Sequence, residues 1–304
     1  MRHARRRWTA GGWMIAAVAG VALLAGCGEE PSEDARGESR ESADQQEHAE
    51  SMAREHEGDR PVGTSLVEDP PVGLIQEHRV AYASVDGTEV HGFLAEPADA
   101  TGDEPGVIVI HEWWGLNDNI EKMTRKLAAQ GYQALAVDLY RGMVASEPGR
   151  ARELMEATFD RTDQLESNLR QAASYLREER GAPRIGVIGW CFGGGWSLRT
   201  GLMLGDGLDA VVVYYGRLVT DPDRLKTLEA PVLGIFGEQD QGIPVETVRD
   251  FAAELRALDK THRIEIYPGA GHAFANPSGT RFEPEAAEAA WDLTLTFLGK
   301  HLRP

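Results

Sequence analysis

A single α/β domain, with a mostly parallel central sheet and helices on both faces, is the fold class the sequence predicts. Three observations predict it. Short apolar runs alternate with longer amphipathic stretches from about Val80 onward. Most of the runs are continuous in Val, Ile, Leu and Ala, as strands buried on both faces require. The chemically active residue types gather where those runs end, which is where open parallel sheets hold ligands.

The elements follow in order. "HRVAYASVDGTEVHGFLAEP" reads as two strands joined at Asp86-Gly87, a dipeptide suited to a tight hairpin. Val107 to Ile110 is a buried strand, and Asn119 to Gln130 a helix with Ile120, Met123, Leu127 and Ala128 on one side and Gly131 as its stop. "YQALAVDLYRG" is the next strand, followed by helical stretches at about Ser146–Phe159 and Thr162–Arg180. "PRIGVIGW" is a strand that runs into the helical "GGGWSLRTGLML". "LDAVVVYYG" and "APVLGIFGEQD" are strands, "PVETVRDFAAELRALD" a helix, and "HRIEIYPGAGHAF" the last strand with its exit loop. "EPEAAEAAWDLTLTFLGKHL" closes the domain as a helix.

The N-terminal stretch carries different signals. Arg2, Arg5, Arg6 and Arg7 precede an apolar run from Trp13 to Leu24, the pattern of an export signal. That run is short for a membrane span, which needs about 20 residues. Leu24-Ala25-Gly26-Cys27 resembles a bacterial lipobox, which implies a signal peptide over 1–27 and lipidation at Cys27. Residues 28–65 are acidic and poor in aromatic and β-branched types, so a disordered linker is expected there. A single sizeable folded domain is expected over 66–304. The expectation is an exported protein, lipid-anchored at the cell envelope. A formal net charge of −18 disfavours nucleic acid as a partner.

Only Cys27 and Cys191 are present. With Cys27 lipidated, Cys191 is a lone thiol and no internal disulfide forms. Its setting, Gly189-Trp190-Cys191-Phe192-Gly193, has the spacing of a nucleophile elbow, with small residues around a sharp strand-to-helix turn. The helix N-terminus behind it favours negative charge on sulfur. A buried core cysteine is the bland alternative. An elbow needs an acid and then a histidine further along. Asp240 ends one strand and His272 a later one, with Glu238 as a competing orienter. In these roles Cys191 attacks, His272 moves protons and Asp240 holds the imidazole.

The pieces "HEWWGLN", "DLY", "GWCFGG", "YYG", "GEQD" and "GAGHAF" resemble the dienelactone hydrolase family of the α/β-hydrolase fold, from roughly Val80 to the C-terminus. The resemblance implies a Cys191–His272–Asp240 triad, Glu112 in contact with the thiol, and an oxyanion hole from the N–H groups of Phe192 and Trp113. It implies a carboxylic ester hydrolase, carboxymethylenebutenolidase-like, that passes through an acyl-thioester. A carboxylate beside a thiol opposes its ionisation, so Glu112 is expected to keep Cys191 neutral at rest and take its proton at attack. Trp113, Trp114 and Tyr215 suggest an aromatic-lined pocket, whereas Trp190 is expected to pack into the core. Asn276 stands where the family's dienelactone cleavers carry an arginine for the substrate carboxylate; Arg281 is further off, and Arg150 and Arg152 are nearby candidates for a second. The expected substrate-binding residues are Trp114, Tyr215 and Asn276. The substrate is a small ester or lactone, and the membrane is a partner only through the lipid anchor. No metal-ligand cluster or dinucleotide fingerprint stands out, so no cofactor is expected. Two other readings stay open, a thiol redox protein and a tethered, non-catalytic binding domain.

Overall fold

In the structure, a computed structural model, residue 46, residues 49–59, residue 61 and residues 69–303 are described. The expected signal peptide, Cys27 and most of the expected linker lie outside the described residues. Eight strands form one sheet: β1 Ile75–Val85, β2 Thr88–Pro97, β3 Gly106–Ile110, β4 Gln133–Val137, β5 Ile185–Trp190, β6 Ala210–Tyr214, β7 Val232–Gly237 and β8 His262–Tyr267. Their spatial order is β1-β2-β4-β3-β5-β6-β7-β8. The β1–β2 hairpin turns on Asp86 and Gly87, both at positive φ (52° and 73°), as a two-residue turn of this hand requires. Strand β2 pairs antiparallel with β4, and every later pairing is parallel.

Strands β3 to β7 are buried along their whole length, which explains their unbroken apolar sequences. Among the helices, α2 (Asp118–Ala129) starts at Asn117, whose side chain accepts from the Ile120 N–H, and its run is followed by Gly131 at φ 86°. Helices α3 (Pro148–Glu156), α4 (Thr162–Ser174), α5 (Phe192–Leu204), α6 (Pro222–Leu225), α7 (Val245–Ala257) and α8 (Pro284–Leu302) complete the alternation. Helix α4 packs on α5, and Lys126 of α2 lies 4.4 Å over the Trp291 ring of α8. The stretch expected as one helix from Thr162 to Arg180 ends its regular α-helix at Ser174 and finishes in a wider turn over Tyr175–Glu179.

One expectation needs correction. Residues 49–55, inside the stretch expected to be a disordered linker, form a helix, α1, followed by a turn through Asp59. Ala49, Met52 and His56 lie at i, i+3 and i+7, and all three are fully buried. The acidic composition conceals an apolar stripe with a place to dock.

Candidate active site

Cys191 sits between β5 and α5 with φ 55° and ψ −116°, backbone angles that a residue bearing a Cβ adopts only under constraint. The constraint is visible. Its N–H donates to the Tyr214 carbonyl at 3.0 Å, and its own carbonyl accepts from Gly195 at 3.1 Å. A Cβ on Gly189 would stand 2.2 Å from the Gly193 carbonyl oxygen, and one on Gly193 would stand 2.4 Å from that of Ile110. The elbow closes only because both positions lack side chains.

His272 and Asp240 leave β8 and β7 on the same edge of the sheet. His272 Nδ1 donates to Asp240 Oδ2 at 2.8 Å, and Asp240 Oδ1 accepts the Ile243 N–H at 2.8 Å. Both side chains are buried. Glu238, the competing orienter, instead accepts the N–H of Gly269 at 3.0 Å in an exposed turn. Asp240 therefore holds the imidazole. The Nε2 atom of His272 is buried and has no hydrogen-bond partner within reach among the described residues.

Charge at this centre follows from burial and proximity. Burial pushes the Cys191 thiol up, but the nearby His272 and His56 imidazoles outweigh it and bring it down to about 6. Burial lowers His272, and Asp240 and the sulfur more than reverse that, raising it well above the usual imidazole range. Burial and then the sulfur's negative charge push Glu112 up to about 8. Sulfur and carboxyl repel, as expected, and the two imidazoles pull the balance toward a thiolate with the proton on Glu112.

Glu112 is fixed from two sides. The Asn276 amide donates to its Oε2 at 2.6 Å. His111 Nδ1 donates to its backbone carbonyl at 2.5 Å, while His111 Nε2 accepts the Leu139 N–H at 3.2 Å. Asn276, expected to bind substrate, also positions Glu112, and its own oxygen accepts from Ser278. Trp113 and Trp114 are buried and pack on each other, with ring centroids 5.1 Å apart. Tyr215 is buried against the His272 ring at 5.2 Å. Trp190 packs on Tyr214 at 5.4 Å, as expected for a core residue. The Phe192 N–H opens α5, where backbone amides lack intrahelical partners.

Four residues in the site were not read from the sequence. Met52 Sδ lies 3.7 Å and His56 Nε2 3.9 Å from Cys191 Sγ. The His56 ring stacks at 4.7 Å on Trp113, and its Nδ1 donates to Asp59 Oδ2 at 2.8 Å. Asp59 is anchored by Thr280, from its N–H at 3.0 Å and its hydroxyl at 2.6 Å, and by Arg281 at 3.2 Å. Arg281 also donates to the His272 carbonyl at 2.9 Å, so one guanidinium ties α1's turn to the loop that carries His272. Under this cover Cys191 is 1% exposed. The signal that could have found α1 is the spacing of Ala49, Met52 and His56.

A cavity of about 20 Å³ lies on the Glu112 side, lined by Asn119, Ile120, Trp190, Tyr215 and Asn276 among others. It shares Met123, Trp190, Ala275 and Pro277 with a cleft of about 520 Å³ that continues to Tyr214, Phe282 and Trp291. Arg150 pairs with Glu153 and Arg152 with Glu156 on α3, and Arg152 also reaches Glu50 of α1 at 3.7 Å.

Comparison with known proteins gives a consistent result. The sequence profile described as the Dienelactone hydrolase family matches residues 90–302. A protein of Aquifex pyrophilus named usf is 32% identical over 224 residues, which is 71% of this chain and 96% of that one. A Saccharolobus solfataricus protein, provisionally named a carboxymethylenebutenolidase, is 30% identical over 259 residues, 73% of this chain and 98% of its own. Among solved structures, a Klebsiella pneumoniae protein provisionally called a dienelactone hydrolase superposes with a TM-score of 0.67 at 29% identity, covering 74% of this chain and 99% of that one.

Proposed function

Because the chain belongs to the dienelactone hydrolase family and is a hydrolase of that kind, we propose that it cleaves an ester or lactone by acyl transfer through Cys191, with His272 and Asp240 completing the triad. The observation that supports this reading is the placement of a His272 ring nitrogen within 4.8 Å of the Cys191 sulfur at the strained elbow, with Asp240 holding the ring's other nitrogen. The thiolate attacks the carbonyl carbon, and the N–H groups of Phe192 and Trp113 take the oxyanion. His272 delivers its Nε2 proton to the departing alkoxide, leaving an acyl-thioester. Water then attacks that thioester, His272 takes the water's proton, and the C–S bond breaks to return the thiolate. Glu112, protonated beside the sulfur, limits how much negative charge the pocket holds before attack.

The substrate's acyl or alcohol portion fits the apolar cleft beside Trp190 and Trp291. A neutral ester or lactone suits the site, since the cleft is lined largely by apolar side chains such as Met123, Trp190, Phe282 and Trp291. Access to sulfur requires α1 and its turn to move aside. Lipid anchoring at Cys27 belongs to the same reading, because the lipobox-like residues precede the domain by a tether-length stretch. Incubation with a panel of nitrophenyl esters and lactones, with and without a carboxylate, tests the substrate class. Neutral members are expected to turn over faster; a strict requirement for a carboxylate would contradict the assignment.

A further inference from the structure

Two carboxylate-bound imidazoles converge on one thiol, and acyl transfer uses only one of them. His272 is held by Asp240 and His56 by Asp59, each through Nδ1 at 2.8 Å. Both rings therefore aim Nε2 inward. The ligating atoms of His56, Cys191 and His272 all lie within 4.8 Å of one another, and all three residues are buried. Met52 Sδ adds a thioether 3.7 Å from the thiol sulfur.

Carboxylate–histidine pairs are the arrangement that orients imidazoles at metal centres and makes them better donors. The spacing suits an ion as well. Bonds of about 2.3 Å to sulfur and about 2.0–2.1 Å to nitrogen at tetrahedral to trigonal angles put S and N about 3.6–3.8 Å apart. The His56 Nε2–Sγ separation of 3.9 Å needs only a small contraction. The donors are a thiolate, a thioether and two imidazoles; the sulfur pair selects a soft ion such as Cu⁺, and imidazole suits copper as well.

We propose that Cys191, His272 and His56 bind a thiophilic cation, Cu⁺ foremost, with Met52 Sδ in the fourth position. This goes beyond the hydrolase reading. The thiolate binds the ion directly, and the ion displaces the protons held by the two Nε2 atoms, which leave to solvent. The sulfur lone pair that would attack an ester is then engaged in the metal bond. Because His56 and Met52 come from α1 and its turn, the ion also staples that segment over the nucleophile.

The test is anaerobic titration of the full chain with Cu⁺ in competition with a chromophoric chelator, paired with Co²⁺ as a spectroscopic probe of the ligands. One ion per chain is expected, with a sulfur-to-cobalt charge-transfer band that Cys191→Ser abolishes. His56→Ala and the bulkier His56→Gln should each weaken binding by at least about tenfold, with circular dichroism confirming a folded domain. Cu⁺ affinity and cobalt spectrum unchanged in both His56 variants would overturn the site, as would the absence of any sulfur band at one equivalent. Acylation of metal-free protein by a nitrophenyl ester, measured on the same samples, reports the hydrolase reading separately.

Discussion

Replacing Asp59 by Ala should uncover the nucleophile without touching the triad. Asp59 is 4% exposed and holds His56, Thr280 and Arg281 at once. Burial would raise its carboxyl, and the hydrogen bonds from His56 and Thr280 outweigh that and hold it well below the usual range. Breaking a buried charged pair costs about 3–5 kcal/mol; Arg281 is about one-quarter exposed, which favours the lower end. In the open state Asp59 is solvated, so the loss falls on the closed state alone. A change of about 3 kcal/mol raises the open fraction by about a hundredfold. While the closed state still dominates, alkylation of Cys191 by iodoacetamide scales with that fraction. The rate constant, followed by mass spectrometry of the intact protein, should therefore rise by about two orders of magnitude. A rate within about threefold of the parent would refute the idea that the Asp59 anchor controls access to sulfur.

Other expectations follow from the same geometry. Asp240→Asn should leave substrate binding nearly intact and lower kcat by about 10³–10⁴, because the imidazole loses its orienting acceptor; steady-state kinetics on a nitrophenyl ester check this. Alkylation of Cys191 should rise about tenfold per pH unit from acid and level off above about 6, since the thiolate is the reactive form and its sulfur is held at that value. An inflection at the ordinary thiol value would contradict the two-imidazole account. Asn276→Ala removes the donor to buried Glu112 and should cost about 1–3 kcal/mol of stability, read as a lower Tm. Gly193→Ala drives a Cβ against the Ile110 carbonyl, where backbone must shift, and should cost at least about 1–3 kcal/mol or prevent folding.

Much of this architecture was legible because its signals are local. The apolar runs at Val107–Ile110 and in "AVVVY" could only be buried strands, and they fixed which loops share an edge. Asp86-Gly87 carried its own turn geometry. Cys191, Asp240 and His272 were found because an elbow demands partners in that order, and the sheet delivers them to one place. What escaped was non-local. Composition over 28–65 averaged away the three-residue stripe of α1, and nothing in "AREHEGD" says that a histidine will cross to a site assembled far along the chain. Asn276 was singled out by its place after His272, but its hydrogen bond to Glu112, 164 residues away, was not legible. The charge on the thiol depends on His56 as well, so the Glu112–Cys191 repulsion was legible and the opposing pull of His56 was not.

The most direct test of acyl transfer through Cys191 is rapid acid quenching during turnover of a nitrophenyl ester, followed by peptide mapping. The expected result is an acyl group on the peptide carrying Cys191, formed and lost at rates matching turnover, and absent from Cys191→Ala, which also stops cleaving the ester. An acyl group on any other residue, or undiminished cleavage by Cys191→Ala, would contradict the account.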